Sequence, residues 1–159
     1  NSALENIFKK NDIGFKRADV GDKFVLEEML NQGWLLGGEP SGHIICLESS
    51  TTGDSCIAAL HLLLSLQNLD MSLEESLKSF VKFPQKLINL KVSNPHKVIM
   101  NSKIRNIVSE LENSLKGNGR ILLRPSGTEP LIRVMVEANT EELTNNSAKF
   151  LADNILDIA

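Results

Sequence analysis

Two short loops hold the residues of this sequence best suited to chemistry. The first, Arg124-Pro125-Ser126-Gly127-Thr128-Glu129-Pro130, lies between two apolar runs. Arginine brings a forked cation, Ser126 and Thr128 bring hydroxyl donors, and Gly127 lets backbone N–H groups approach an oxyanion closely. Such a set suits a phosphate cradle, and Arg133 adds a second cation if its side chain faces the loop. The same residues also fit a polar turn whose glycine serves only its backbone angles.

The second loop, Gly38-Glu39-Pro40-Ser41-Gly42-His43, gathers a carboxylate, a hydroxyl and an imidazole. Glu39 can accept hydrogen bonds from vicinal hydroxyls, Ser41 can donate or accept, and His43 can bind or shuttle a proton near neutral pH, so the set suits sugar hydroxyls. An ordinary connecting loop is the competing reading. Thr51-Thr52-Gly53-Asp54 is a weaker candidate, because Mg²⁺ usually takes one or two carboxylates together with substrate oxygens and a lone aspartate does not hold it. Helix capping explains that segment better, and no metal ligand is assigned in the chain. Cys56, just inside the capped helix, reads as packed and not reactive. His61 shares a helical face with Ile57, Leu60 and Leu64 and reads as a satisfied core or interface residue, whereas His96, beside Pro95, reads as a solvated loop residue.

The elements that must position these loops follow from periodicity and punctuation. Leu4, Ile7 and Phe8 fall at helical spacing after Ser2, and Gly14 ends that helix before an extended stretch over residues 15–20, read as a strand. A second helix is expected over 22–31, then short strands at 34–36 and 43–48 joined by the glycine-rich loop. Asp54 caps an apolar helix ending near Leu69, and Ser72 with Glu75 forms a capping box for another. Helices alternating with strands indicate an α/β layer fold. At Phe83-Pro84 the helical pattern fails, since proline biases its predecessor away from α conformation, and the domain boundary is placed there. Downstream come a strand over 85–92, a helix over 102–115, the turn Gly117-Asn118-Gly119, strands at 120–123 and 131–137, and a helix over 141–158. That order describes a compact α+β unit able to fold alone.

Composition narrows the function classes. A net charge of −3 with no Lys/Arg block argues against nucleic-acid binding, which needs a clustered basic face. The longest apolar run, 57–64, is interrupted by His61 and is far shorter than a membrane span. Cys46 and Cys56 lack metal-ligand spacing and suit a reducing cytoplasm, with no disulfide expected. The chain opens at Asn1 with no signal-peptide pattern and reads as part of something longer.

Taken together and in order, Val20-Gly21-Asp22-Lys23, Gly38 to His43, Thr51-Thr52-Gly53-Asp54 and Arg124 to Arg133 resemble consecutive signatures of the α-D-phosphohexomutase superfamily, on its phosphoglucosamine mutase branch. The resemblance covers nearly the whole chain. It implies a truncated α/β/α third domain over 1–83, whose opening strand precedes Asn1, and a TATA-binding-protein-like fourth domain over 84–159. It also implies that Arg124, Ser126, Gly127, Thr128 and Arg133 hold the phosphate that is not transferred, while Glu39, Ser41, His43 and Lys23 contact the sugar. His43 is either an acid–base group or a binder only. The implied reaction is glucosamine 6-phosphate to glucosamine 1-phosphate through a phosphoserine and a 1,6-bisphosphate, supplying UDP-N-acetylglucosamine and cell-wall synthesis. The phosphoserine loop and the Mg²⁺ loop of such an enzyme belong to its first two domains and have no counterpart here, so the fragment is expected to be inactive. The implied partners are the phosphosugar, those missing domains and, through an exposed sheet edge, a second copy. A phosphomannomutase or phosphoglucomutase fragment, or a non-catalytic phosphosugar-binding module, are the alternatives. Pro40 departs from relatives that carry glutamine, methionine or asparagine there. Others have arginine and tyrosine at positions 23 and 24 and glycine at 55.

Overall fold

The computed structural model describes residues 1–159. The chain forms two compact units: Ile13–Ser79, and Asn1–Asp12 together with Phe80–Ala159. The first helix, which precedes the Ile13–Ser79 unit in sequence, therefore belongs with the C-terminal part.

In the Ile13–Ser79 unit, helix α2 (Asp22–Gln32) leads into the antiparallel hairpin β1 (Leu36–Gly38) and β2 (Ile44–Cys46), followed by α3 (Ser55–Asn68) and α4 (Leu73–Leu77). The helix α2 ends on Gly33 at φ 68, the left-handed conformation that glycine adopts without penalty. The caps anticipated for the next two helices form. The Asp54 carboxylate accepts from the Cys56 and Ile57 N–H groups at 2.9 and 3.0 Å, and Ser72 and Glu75 exchange the two hydrogen bonds of a capping box. Residues 15–20, expected to be a strand, take no strand partner, because the only sheet of this unit is the β1–β2 hairpin. That segment lies instead along α2, with Lys16 Nζ 2.6 Å from Glu28 Oε2 and Gly14 against the Trp34 ring. The helix α3 has no charged residue and no buried one, so Cys56 is exposed and not packed as expected; Cys46 on β2 is buried, and both cysteines are free.

In the other unit, α1 (Ser2–Lys10) is capped by Asn1, whose side-chain oxygen accepts from the Ala3 N–H at 3.1 Å. Strand β3 (Gln85–Lys91) is followed by a short helix α5 (Pro95–Ile99), so His96 sits on a helix and not in a loop. Then come α6 (Ser102–Ser114), β4 (Gly119–Pro125), β5 (Leu131–Ala138) and α7 (Glu141–Leu156). The strands make one antiparallel sheet in the order β3-β5-β4. Strand side chains alternate between faces, so Ile132, Val134, Val136 and Ala138 turn together with Leu90 and Ile121 toward Ile104, Leu115, Leu151 and Ile155 of the helical layer. Truncating one of these fully buried aliphatic chains to alanine costs about 2–5 kcal/mol. The alternate residues Leu131, Arg133, Met135 and Glu137 share the opposite face, where α1 docks: Glu137 Oε2 accepts from the Ser2 N–H at 2.9 Å and the Ser2 hydroxyl at 3.1 Å.

Candidate functional site

The sugar-type loop of the sequence sits at the tip of the β1–β2 hairpin. The Glu39 N–H donates to the His43 carbonyl at 2.9 Å, and the Gly42 N–H donates to the Glu39 carbonyl at 3.0 Å, closing a tight turn over Pro40 and Ser41. Pro40 follows the first turn residue, where its fixed φ is favourable and its missing N–H is not needed by the ladder. Gly42 takes φ 95, a conformation that a side chain would strain. The turn brings three of the chosen side chains together. Ser41 Oγ lies 2.8 Å from His43 Nδ1, and Glu39 Oε2 lies 3.8 Å from the same nitrogen. With Nδ1 engaged by Ser41, Nε2 is the ring nitrogen that makes no hydrogen bond; the histidine side chain is 58% exposed against 15% for Glu39. Glu39 spends its other oxygen on the Gly21 N–H at 3.0 Å, at the start of α2, where no side chain of the helix itself provides a cap. A carboxylate there satisfies an orphan donor and complements the positive end of the helix dipole. The same hydrogen bond fixes the 21–23 segment beside the turn, with Lys23 on the first turn of α2 and its ammonium 5.8 Å from the centre of the Phe24 ring.

Gly53 is a member of this site that capping alone does not reveal. A Cβ at that position would lie 3.0 Å from His43 Cβ. The 51–54 segment therefore passes directly beneath the imidazole, and the missing side chain makes room for it. The only sequence signal was a glycine inside a capping motif. His61 is satisfied by a hydrogen bond, with Nε2 3.0 Å from Ser49 Oγ, but it is no core residue: it is half-buried, and Leu60 and Leu64 beside it are exposed.

The second loop closes the β4–β5 hairpin in the other unit. The Ser126 N–H donates to the Leu131 carbonyl at 2.9 Å, the Leu131 N–H to the Glu129 carbonyl at 2.8 Å, and the Thr128 N–H reaches Ser126 Oγ at 3.5 Å. Arg124 and Arg133 are direct cross-strand partners on one face of the sheet. Like charges directly opposite are unfavourable in a sheet. Neither arginine forms an ion pair, and Arg133 Nε is buried with no hydrogen-bond partner. Gly127 does not take a positive φ, and a Cβ there would meet nothing within 4 Å. Neither turn geometry nor packing requires glycine at 127, and its backbone is left bare. Ser126, Gly127 and Thr128 lie in the connection between β4 and β5, so the chosen residues share one hairpin end.

No three His, Cys, Asp or Glu side chains gather as a metal ion needs, and Asp54 is committed to its helix cap. The residues of this chain do not fit a Mg²⁺ site.

Comparison with known proteins gives these two loops a context. The family model described as phosphoglucomutase/phosphomannomutase, alpha/beta/alpha domain III, matches residues 1–83, and the one described as phosphoglucomutase/phosphomannomutase, C-terminal domain, matches residues 87–154. The phosphoglucosamine mutase of Coxiella burnetii is 46% identical over 152 residues, which is 96% of this chain and 34% of that protein. The phosphoglucosamine mutase of Polynucleobacter asymbioticus is 44% identical over 153 residues, with the same shares. The chain thus spans about a third of the length of these curated relatives. Among solved structures, an Aspergillus fumigatus N-acetylphosphoglucosamine mutase superposes with a TM-score of 0.79 at 18% identity, covering 96% of this chain and 36% of that one. A structure of the Aspergillus fumigatus enzyme with GlcNAc-6P and magnesium superposes with a TM-score of 0.56 at 21% identity over 71% of this chain and 22% of that one. At such identities the structural likeness speaks for the fold, while the sequence matches speak for descent. By the two family models, the chain belongs to the phosphoglucomutase/phosphomannomutase family, of which it carries the alpha/beta/alpha domain III and the C-terminal domain.

Proposed function

We propose that this chain is the substrate-gripping C-terminal part of an isomerase that interconverts glucosamine 6-phosphate and glucosamine 1-phosphate. Residues 1–83 and 84–159 correspond in this reading to the third and fourth domains of the enzyme. The observation that carries it is the β4–β5 hairpin end, where two facing arginines without acidic partners flank a loop whose glycine has no backbone or packing reason to be glycine. A dianionic phosphate offsets the repulsion between the guanidinium groups and accepts from them and from the bare N–H groups and hydroxyls of 126–128.

In the complete enzyme the reaction runs through a phosphoserine and a sugar 1,6-bisphosphate that turns end for end. The role of the 124–133 loop is to hold whichever phosphate is not being transferred, a task for fixed donors and cations and not for bond-making groups. Glu39 and Ser41 bind ring hydroxyls. His43, with Nδ1 held by Ser41 and Nε2 free of hydrogen bonds, donates or accepts a proton or a hydrogen bond at Nε2. Lys23 extends the sugar site from the start of α2. Magnesium, the serine phosphate and their ligands come from the rest of the enzyme, which functions in the cytoplasm and supplies UDP-N-acetylglucosamine and cell-wall synthesis. A second copy can pair with an open sheet edge of the isolated chain.

Two measurements test the proposal. The 159-residue chain alone, given a sugar phosphate, a bisphosphate and Mg²⁺, should show no turnover; catalysis by it, free of full-length enzyme, overturns the division of labour. In the full-length protein, Arg124→Ala deletes a charge-assisted contact worth about 1.5–3 kcal/mol and should raise KM for glucosamine 6-phosphate about ten- to hundredfold. Unchanged kinetics remove Arg124 from the site.

A further inference from the structure

We infer that Lys91 is a third cation of the phosphate site, reaching the anion held by Arg124 and Arg133 from the opposite edge of the sheet. The inference rests on the phosphate-holding role proposed above for residues 124–133. Its basis is the register of the three strands. The central strand β5 places Arg133 between Arg124 on β4 and Asn89 on β3, and pairs Leu131 with Lys91. Leu90 and Val92 turn into the core, so Lys91 shares its face with Arg133 and Arg124. It stands one diagonal step from Arg133, a separation of about 7–8 Å that long side chains bridge. The end of β3 is also fastened to the loop itself, because the Val92 N–H donates to the Pro130 carbonyl at 3.2 Å.

The charges on this face have no internal balance at the loop end. Arg120 and Glu137 neutralise each other at the far end through a 2.9 Å ion pair, and Gln85, Leu87, Asn89, Leu122 and Met135 are uncharged. Lys91 is exposed and makes no ion pair. Glu129 is the acid within the loop, and it forms no ion pair with these cations. Three cations so placed repel one another until an anion arrives, and a phosphate monoester carries about −1.5 to −2 charges near neutral pH. The guanidinium groups suit directional contact with its oxygens, whereas a lysine ammonium works as a compact point charge that needs no fixed geometry. The ligand class is therefore a dianionic phosphate monoester, favoured over a singly charged anion.

The test uses the 159-residue chain, titrated with inorganic phosphate and with glucosamine 6-phosphate at fixed pH and ionic strength, and read by amide chemical shifts of residues 124–131. Lys91→Gln should raise the dissociation constant about two- to fivefold, as expected for one exposed charge pair, and Lys91→Glu should raise it further. Lys91→Arg should restore wild-type affinity, which a merely structural role of the strand end would not predict, and thermal midpoints should stay unchanged. Equal affinity of wild type and Lys91→Gln, with binding still abolished by Arg124→Gln, overturns the role of Lys91 alone. No response in the wild type overturns it together with the phosphate reading of the loop.

Discussion

Replacing Glu137 by glutamine should cost the C-terminal unit about 3 kcal/mol at neutral pH, and the cost should fade in acid. Glu137 is buried to 2% exposure and receives four hydrogen bonds: Arg120 Nε and Nη2 at 2.9 and 3.1 Å, and the Ser2 N–H and hydroxyl at 2.9 and 3.1 Å. Burial pushes its carboxyl up, but the hydrogen bonds and charge of Arg120, with the Ser2 N–H, outweigh it and bring the pKa from 4.5 down to about 2. At about 1.4 kcal/mol per decade, that depression corresponds to roughly 3 kcal/mol of stability. A folded pKa below the unfolded one means that the contribution is complete above pH 4.5 and is lost as pH falls toward about 2. Glutamine keeps the shape but turns an NH₂ toward a set of donors, leaving at least one of them facing another donor. Urea unfolding of wild type and Glu137→Gln, followed by far-UV ellipticity from pH 7 to pH 2.5, supplies the difference. Trp34 lies in the other unit and is unsuited as the probe. Amide exchange should show α1 losing protection first, because Glu137 is the buried one of its long-range anchors, beside the Asn1–Phe83 and Asn6–Gly117 hydrogen bonds. A difference below about 1 kcal/mol at pH 7, or one that does not shrink between pH 5 and pH 2.5, refutes the reasoning.

Gly53→Ala should displace the His43 ring and weaken the Ser41–His43 hydrogen bond without unfolding the chain, seen as a shift of the His43 ring resonances and unchanged ellipticity; an unmoved ring shows that position 53 has room to spare. Gly119→Ala should lower the stability of the C-terminal unit by more than about 2 kcal/mol, because the new methyl meets the backbone of Glu137 and Ala138 on the facing strand and neither strand can step aside cheaply. A chemical denaturation curve matching wild type would contradict it. Asp54→Ala should cost about 1 kcal/mol in the N-terminal end of α3, while Asp54→Asn, which can still cap, should cost only a few tenths. Equal losses in the two variants would point to a role for the charge itself and not to capping.

Local chemistry made much of this chain legible in its sequence. A cap is a contact between residues two or three apart, so Asp54, Ser72 and Glu75 announce their helices without any fold to refer to. The β4–β5 hairpin shows in its two apolar runs and in the turn-forming residues between them, and the residue types of both loops nominate them as candidate sites. Contacts made across long stretches of chain were not legible. Residues 15–20 have strand-like composition, but a strand exists only with a partner, and no sequence pattern announces that the partner is absent. Cys56 has the makings of a packed residue, yet the packing of α3 within its unit buries none of its residues fully. The anchoring of α1 depends on Ser2 meeting Glu137 at the other end of the chain, and the place of Gly53 on its lying beneath His43. Strand register decided the rest: residue types nominated Arg124 and Arg133, but only pairing on β5 sets them face to face and brings Lys91 alongside, because which side chains share a sheet face is fixed by hydrogen bonds between strands far apart in sequence.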